Sequence, residues 1–403
     1  MKPRLWSPLV AILCACGGPI EDIEQVDPLA KEENELASSQ SSFWTSNLPA
    51  TIYNSGSAEQ RFLTGDFNGD GRTDIFQTYR GWGSIPTCTS TGSGWSCVNF
   101  PAAIYNSGST EQRFLTGDFN GDGRTDIFQT YRGWSSIPTC TSMGGGWSCA
   151  NFPATIYNSG SAEQQFLTGD FNGDRRVDVF QTYRGWGSIP TCTSTGSGWS
   201  CANFPAAIYN SGSAEQRFLK GDFNGDGRAD IFQTYRGWGS IPTCTSTGSG
   251  WSCANFPAAI YNSGSAEQQF LTGDFNGDGR TDIFQTYRGW GSIPTCTSTG
   301  SGWSCANFPA AIYNSGSAEQ RFLTGDFNGD GRTDIVQVYR GWNSYPVCFS
   351  TGTDWSCSNI PAVLFNSGSE EQSFLVGDFN GDRRSDLLQT FRGWGSIPIS
   401  LSL

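Results

Sequence analysis

One 52-residue stretch decides the fold, and it occupies residues 62–113: FLTGDFNGDGRTDIFQTYRGWGSIPTCTSTGSGWSCVNFPAAIYNSGSTEQR. A repeat of this length is typical of propellers, solenoids and arrays. The unit contains four β-forming segments separated by Gly-rich turns, and no segment has helical periodicity. We therefore predict an all-β fold, a seven-bladed β-propeller with four-stranded blades. The seven units restart without insertion or deletion at Phe62, Phe114, Phe166, Phe218, Phe270, Phe322 and Phe374.

The two ends of the repeat array complement each other. The seventh unit reaches only its third predicted strand at Leu403. Residues Phe43–Pro49 align with Trp95–Pro101, the fourth strand and following proline of the first unit. We expect this N-terminal strand to complete the last blade, because ring closure removes open sheet edges. The four predicted strands of the first unit are Phe62–Phe67, Ile75–Arg80, Ile85–Thr91 and Trp95–Phe100.

Composition excludes several functions. The chain has 403 residues and no His, which excludes Ser–His–Asp triads, Cys–His nucleophiles and His-ligated zinc. The net charge of −13 argues against nucleic-acid binding, which needs basic patches. No apolar run of about 18 residues predicts a membrane-spanning helix.

The N-terminus is predicted to direct export. Residues 1–15 resemble a bacterial lipoprotein signal peptide, with Lys2 and Arg4 before an apolar stretch and the lipobox-like Leu13-Cys14-Ala15-Cys16. Cys16 would then be lipidated, and the protein would be an outer-membrane lipoprotein, periplasmic or surface-exposed; an ordinary signal peptide is the alternative. Residues 16–40 are acidic and poor in apolar side chains, which predicts a disordered tether. Residues 41–403 form the predicted propeller.

Twelve of the fourteen cysteines form regularly spaced pairs around a Gly-containing turn, which is Gly92-Ser93 in the first unit. With a two-residue turn at Gly92-Ser93, Cys88 faces Cys97 across a hairpin, where Cα atoms approach to about 4.5 Å. The equivalent positions of the seventh unit are Thr45 and Ser400, so both cysteines are lost together. Export favours disulfides, and reduced buried cysteines are the alternative. The predicted pairs are Cys88–Cys97, Cys140–Cys149, Cys192–Cys201, Cys244–Cys253, Cys296–Cys305 and Cys348–Cys357.

Each unit also contains an oxygen-rich loop, Asp66-Phe67-Asn68-Gly69-Asp70-Gly71-Arg72-Thr73-Asp74 in the first unit. Side-chain oxygens stand at positions 1, 3, 5 and 9, and position 7 offers a carbonyl, as in the first half of an EF-hand loop. Up to seven structural Ca²⁺ ions are therefore expected, since Ca²⁺ takes six to eight oxygen ligands. Polar turns without metal are the alternative.

At this motif the chain resembles the FG-GAP/VCBS repeat family, known from integrin α-subunit propellers and secreted bacterial proteins, whose loops bind Ca²⁺. The resemblance covers residues 41–403 and implies one site per blade. Arg175 and Arg383 replace the loop's second glycine, and we expect their sites to be the weakest. The implied ligands, with each Arg acting through its carbonyl, are Asp66, Asn68, Asp70, Arg72, Asp74; Asp118, Asn120, Asp122, Arg124, Asp126; Asp170, Asn172, Asp174, Arg176, Asp178; Asp222, Asn224, Asp226, Arg228, Asp230; Asp274, Asn276, Asp278, Arg280, Asp282; Asp326, Asn328, Asp330, Arg332, Asp334; and Asp378, Asn380, Asp382, Arg384, Asp386.

The opposite face of the ring is predicted to carry an Arg-Gly-Trp turn from every blade. Aromatic rings beside guanidinium groups stack on and hydrogen-bond sugars, and the arrangement is similar to that of fungal seven-bladed lectins. Repetition of a weak site gives avidity. Packing of these tryptophans between blades is the alternative. The candidate ligand-binding residues are Arg80, Trp82, Arg132, Trp134, Arg184, Trp186, Arg236, Trp238, Arg288, Trp290, Arg340, Trp342, Arg392 and Trp394.

Two classes of function follow from this pattern. One is a calcium-stabilised, membrane-anchored binding module for a glycan or a cell-surface protein, in contact with the membrane only through the lipid. The other is a protein-binding or structural scaffold without a small-molecule site. We do not expect an enzyme, because outside the metal loops each unit has one recurring carboxylate, Glu59 in the first, and no second one to pair with it.

Overall fold

The structure is a computed structural model. It describes residues 43–49, 60–78, 83–101, 112–130, 136–153, 164–182, 187–205, 217–234, 239–257, 269–286, 292–309, 320–338, 344–361, 372–391 and 395–403. The chain divides into two units, Met1–Gln40 and Ser41–Leu403, and all described residues belong to the second. The predicted signal peptide, Cys16 and the tether therefore lie outside the described residues.

Among the described residues the regular elements are all β-strands, and no helix is long and apolar enough to cross a membrane. The strands before the third blade are β1 (Phe43–Pro49), β2 (Arg61–Gly65), β3 (Asp74–Thr78), β4 (Ser84–Ser90), β5 (Trp95–Pro101), β6 (Arg113–Gly117), β7 (Asp126–Thr130), β8 (Ser136–Ser142) and β9 (Trp147–Pro153). Next come β10 (Gln165–Gly169), β11 (Asp178–Thr182), β12 (Ser188–Ser194), β13 (Trp199–Pro205), β14 (Arg217–Gly221), β15 (Asp230–Thr234), β16 (Ser240–Ser246) and β17 (Trp251–Pro257). The remainder are β18 (Gln269–Gly273), β19 (Asp282–Thr286), β20 (Ser292–Ser298), β21 (Trp303–Pro309), β22 (Arg321–Gly325), β23 (Asp334–Val338), β24 (Ser344–Ser350), β25 (Trp355–Pro361), β26 (Gln372–Gly377), β27 (Asp386–Phe391) and β28 (Ser396–Ser402).

These strands build the predicted seven-bladed propeller. Blade 1 has the strand order β2-β3-β4-β5, and blades 2 to 6 repeat it with the next four strands each. Blade 7 has the order β1-β28-β27-β26. Strand β1 pairs antiparallel with β28 from Phe43 opposite Ser402 to Pro49 opposite Ser396. The predicted closure of the ring by the N-terminal strand is therefore confirmed.

The hydrophobic core lies between blades, one cluster at each seam. Side chains alternate between the two faces of a strand, so each blade presents apolar residues to both neighbours. Between blades 1 and 2, Phe67, Phe76 and Ile85 of the first blade pack against Ile127 and Cys140 of the second. Tryptophans at the start of the fourth strands, such as Trp95 and Trp147, pack against these clusters.

The hairpin prediction is also confirmed. Cys88 is the register partner of Cys97, and the two form a disulfide with a Cα–Cα distance of 4.0 Å. Gly92 has a φ of +82°, as expected at the first position of a two-residue turn. All six predicted disulfides are present. In blade 7 the equivalent Thr45 and Ser400 hydroxyls lie 3.2 Å apart and share a hydrogen bond.

Candidate metal-binding loops

The oxygen-rich loops connect the first and second strands of each blade. In blade 1 the chain leaves β2 at Gly65, passes through Asp66–Thr73 and enters β3 at Asp74. Gly69 and Gly71 have φ values of +80° and +84°, a region that side chains with a Cβ rarely occupy. Arg175 and Arg383, which replace the second glycine, adopt φ values of 69° and 71°. The loop shape is therefore kept despite the substitution.

The first carboxylate organises the loop through backbone amides. Asp66 Oδ1 accepts the Gly69 N–H at 2.7 Å, and Asp66 Oδ2 accepts the Gly71 N–H at 2.8 Å. Asn68 Oδ1 accepts the Asp70 N–H at 2.9 Å, and Asp70 Oδ1 accepts the Arg72 N–H at 2.9 Å. The predicted ligands at positions 1, 3 and 5 thus lie in one compact turn, and their side chains stabilise it by accepting hydrogen bonds from its backbone amides.

The arginine at loop position 7 has a side-chain role that the sequence analysis missed. Arg72 Nη2 forms an ion pair with Asp70 Oδ2 at 2.5 Å, and its Nε donates to the Ser90 carbonyl at 3.0 Å. The guanidinium therefore connects the loop to the hairpin turn of its own blade and supplies a positive charge to the loop. Blades 2 to 6 repeat this ion pair. The sequence signal for this side-chain role was the arginine at loop position 7 of every unit.

The carboxylate at position 9 lies beneath the loop and is fully buried. Asp74 Oδ2 accepts the Phe67 N–H at 2.9 Å and Oδ1 accepts the Ser90 N–H at 2.7 Å, so it joins the loop to β4. Burial raises the pKa of Asp74 to about 7; the two backbone hydrogen bonds act against this, and the nearby charges of Asp70 and Asp66 add to it. The equivalent Asp in every other blade has the same environment. A cation in the loop would favour its ionised form.

Each loop is also bound by the next blade. The Asp66 carbonyl accepts the Thr125 N–H at 2.6 Å, and the Phe67 carbonyl accepts the buried Ser142 hydroxyl. The ring closes in the same way, since Thr73 N–H donates to the Asp378 carbonyl at 2.6 Å. The loops and the disulfide hairpin turns therefore share one face of the ring.

The FG-GAP-like repeat model matches the chain at residues 66–129, 222–285, 274–337 and 326–388. These segments each contain two successive loops and together cover more than half of the chain. The chain belongs to the FG-GAP-like repeat family. No curated protein sequence matches it.

This FG-GAP propeller is similar to several solved structures, and the likeness to a fungal lectin is strong enough to show a shared fold. A lectin from Agrocybe aegerita that specifically recognises non-reducing terminal N-acetylglucosamine has 15% identity and a TM-score of 0.65, covering 84% of this chain and 86% of the lectin. At that identity the likeness shows the fold. A YCF48 protein from Cyanidioschyzon merolae has 12% identity and a TM-score of 0.46, covering 89% and 98% of the two chains. The Photorhabdus luminescens Tc holotoxin pore has 14% identity and a TM-score of 0.45, covering 85% of this chain and 17% of the toxin.

The donor chemistry of each FG-GAP loop fits a hard cation. The loop offers carboxylate, amide and carbonyl oxygens and no nitrogen or sulfur ligand, which is the set that Ca²⁺ takes. In the described part of the chain, however, no three acidic or cysteine side chains gather in a group that could hold a metal ion. Asp74 is engaged by backbone amides and Asp70 by Arg72. A cation bound in this loop would therefore have to compete with Arg72 for Asp70.

The predicted ligand-binding residues of the opposite face, the Arg-Gly-Trp turns, lie outside the described residues. The strands that bracket them are described: β3 ends at Thr78 and β4 begins at Ser84, and the other blades repeat this geometry. Since Arg61 is the register partner of Thr78, these strand ends lie at the end of the blade away from the loop. The described strand ends that flank these turns thus recur in each of the seven blades.

Proposed function

We propose that this FG-GAP propeller is an exported, calcium-stabilised binding module that recognises glycans through repeated sites. The supporting observation is the sevenfold framework: the sequence places one Arg-Gly-Trp between the second and third strands of each blade, and in blade 1 the described ends of these strands lie away from the loop. Aromatic and guanidinium groups suit sugar rings and hydroxyls, and seven weak sites on one rigid ring give avidity. The shared fold with a lectin specific for terminal N-acetylglucosamine suggests the first sugar to test.

Calcium in this proposal has a structural role. In blade 1 the ion would be held by oxygens of Asp66, Asn68, Asp70 and Asp74 and by the Arg72 carbonyl, with equivalents in the other blades. A bound cation would neutralise the carboxylates that otherwise repel one another. Melting temperatures measured with Ca²⁺ and with excess EDTA test this role, and Mg²⁺ serves as the control cation. We expect EDTA to lower the melting temperature by many degrees, and an unchanged melting curve would refute the calcium role.

Glycan recognition is tested separately with calcium-loaded protein on a glycan array. We expect binding to multivalent N-acetylglucosamine, weakened when Trp82, Trp134 and Trp186 are replaced together by Phe. The matched control replaces Trp95, Trp147 and Trp199, which pack between blades, and leaves affinity unchanged in protein that stays folded.

A flat response to all glycans would favour the second candidate, a protein-binding scaffold. That candidate is supported by the same ring, because seven repeated surfaces also suit a repetitive protein partner.

Membrane attachment is the third part of the proposal and rests on the lipobox-like sequence that ends at Cys16. A diacyl anchor holds a protein at a membrane, whereas one acyl chain binds marginally. Cys16→Ser should move the protein from the membrane fraction to the soluble exported fraction of its host. Cys14→Ser, which leaves Cys16 in place, is the control. Equal fractionation of the Cys16 variant and the wild type would refute lipid anchoring.

A further inference from the structure

A cavity lies between blades 1 and 2. It is located where their first, innermost strands begin, which is the end of the strands opposite to the FG-GAP loops. Its volume is about 140 Å³. The first residues of two neighbouring inner strands, Arg61 of β2 and Arg113 of β6, both contribute to its lining. The other lining residues are Phe62, Leu63, Thr78, Gln112 and Phe114.

The seam between blades 1 and 2 differs from the other seams in the charge at one position, that of Arg61. The position of Arg61 is occupied around the ring by Arg61, Arg113, Gln165, Arg217, Gln269, Arg321 and Ser373. Because consecutive first strands are neighbours, arginines occupy this position on both neighbouring strands only where β2 and β6 meet. The apolar lining is the same at the next seam, where Phe114, Leu115 and Phe166 are equivalent to Phe62, Leu63 and Phe114. The pair of arginines is therefore what singles out this cavity.

The lining combines cationic, polar and apolar groups. Arg61 and Arg113 are exposed, whereas Thr78 and Gln112 are buried. Arg61 Nη1 donates to the Gln60 carbonyl at 3.4 Å, and Arg113 Nη1 donates to the Gln112 carbonyl at 3.5 Å. Both guanidinium groups also make further interactions, and each has five N–H donors to share between the protein and a ligand.

Two guanidinium groups at one cavity can both donate N–H groups to the same anion. Guanidinium groups bind carboxylates through two parallel N–H···O bonds, which adds both strength and direction. The half-buried Phe62, Leu63 and Phe114 offer an apolar surface beside the charges. The cavity is thus suited to a small molecule with a carboxylate at one end and an apolar body at the other.

We propose that this cavity binds one small organic carboxylate, whose carboxylate pairs with Arg61 and Arg113 while its apolar part contacts Phe62, Leu63 and Phe114. None of its described lining residues is a predicted calcium ligand or belongs to an Arg-Gly-Trp turn. The proposal does not depend on the proposed glycan recognition, because its ligand is an anion and its residues are not those proposed to bind glycans.

The test is titration of the full, calcium-loaded protein with benzoate at low salt, followed by calorimetry or ligand-observed NMR. Benzamide, which keeps the ring and removes the charge, is the control ligand. We expect benzoate to bind and benzamide to bind at least about tenfold more weakly, as loss of a charged hydrogen-bonded pair predicts. Failure of benzoate to bind, or equal binding of benzamide, would overturn the proposal.

Variants then locate the site. Arg61→Gln and Arg113→Gln should each weaken benzoate binding about tenfold or more. Arg217→Gln, which changes an arginine flanked by Gln165 and Gln269, should leave it unchanged. Glutamine occurs naturally at this position in two blades, so these variants are expected to fold. Equal losses in all three variants, or no loss in Arg61→Gln, would refute the assignment to the blade 1–blade 2 cavity.

A gain-of-function variant makes the test independent of any loss of folding. Adding Gln165→Arg to Arg61→Gln removes the natural pair and creates new pairs with Arg113 and Arg217. Because the remaining cavity residues repeat at the blade 2–blade 3 seam, we expect the double variant to recover benzoate binding to within about threefold of the wild type. A double variant that binds no better than Arg61→Gln would show that paired arginines do not create the site.

Discussion

At the scale of single residues, the tryptophan that begins most fourth strands links its blade to the one before. Trp147 Nε1 donates to Thr87 Oγ1 at 3.2 Å, across the seam between blades 2 and 1. At the seam between blades 1 and 7 the position of the threonine is Ile399, and the buried Nε1 of Trp95 has no hydrogen-bond partner among the described residues. One substitution in the divergent last blade has therefore removed one inter-blade hydrogen bond.

This difference makes Trp147→Phe and Trp95→Phe a matched pair. Both lose the same aromatic area against a seam cluster, but only Trp147→Phe also breaks a hydrogen bond and leaves the Thr87 hydroxyl without its donor. We expect Trp147→Phe to lower the free energy of unfolding by about 1–2 kcal/mol more than Trp95→Phe. Urea unfolding of both variants measures the difference. Equal destabilisation would mean that the indole hydrogen bonds contribute nothing to stability.

At the scale of elements, the glycines around each loop serve two different purposes. A Cβ at Gly65, the last residue of β2, would lie 2.5 Å from Thr125 Cγ2 of the next blade. Gly65 therefore permits close approach of neighbouring blades. A Cβ at Gly71 would meet no atom within 4 Å, so that glycine is needed only for its φ of +84°. Arg175 and Arg383 occupy the equivalent position, which shows that the loop accepts a side chain there.

We therefore expect Gly65→Ala to be much more damaging than Gly71→Ala. Forcing a methyl group into the seam should cost about 3 kcal/mol of unfolding free energy, whereas positive φ in an alanine costs about 1 kcal/mol. Thermal unfolding of the two variants in calcium provides the comparison. The opposite ranking would contradict the close packing of β2 against the neighbouring blade.

Much of the fold followed from the sequence because it depends on local patterns copied at a fixed period. Strand order, the Cys88–Cys97 pairing and closure by Phe43–Pro49 are of this kind. The contacts of the loop were harder to predict, because they depend on how blades lie against each other. The Ser142 hydroxyl reaches the Phe67 carbonyl across 75 residues of sequence. Likewise, Asp74 was predicted from spacing as a metal ligand, and spacing does not reveal that two backbone amides engage both of its oxygens.

At the scale of the whole molecule, the ring depends on one non-covalent closure. Blade 7 is assembled from both ends of the described chain, through the pairing of β1 with β28. In six blades a disulfide connects the third and fourth strands, but in blade 7 the same position has only the Thr45–Ser400 hydrogen bond. A disulfide within a hairpin closes a short loop, whereas one at blade 7 would close a loop that spans 355 residues. The unlinked blade is thus the one where a covalent link would constrain the unfolded chain most.

Thr45→Cys with Ser400→Cys is therefore predicted to form a seventh disulfide and to stabilise the ring. The two positions are register partners, equivalent to cysteines whose Cα atoms lie 4.0 Å apart in the other blades. Chain-entropy arguments predict about 6 kcal/mol for this loop, against about 3 kcal/mol for a disulfide within one hairpin. Mass spectrometry of oxidised protein detects the bond, and denaturant unfolding measures the gain, with each single cysteine variant as a control. The disulfide stabilises the ring only if β1 and β28 separate when the protein unfolds. If the bond forms without raising stability, β1 and β28 stay paired in the unfolding transition. That outcome would place the weakest seam of the propeller elsewhere.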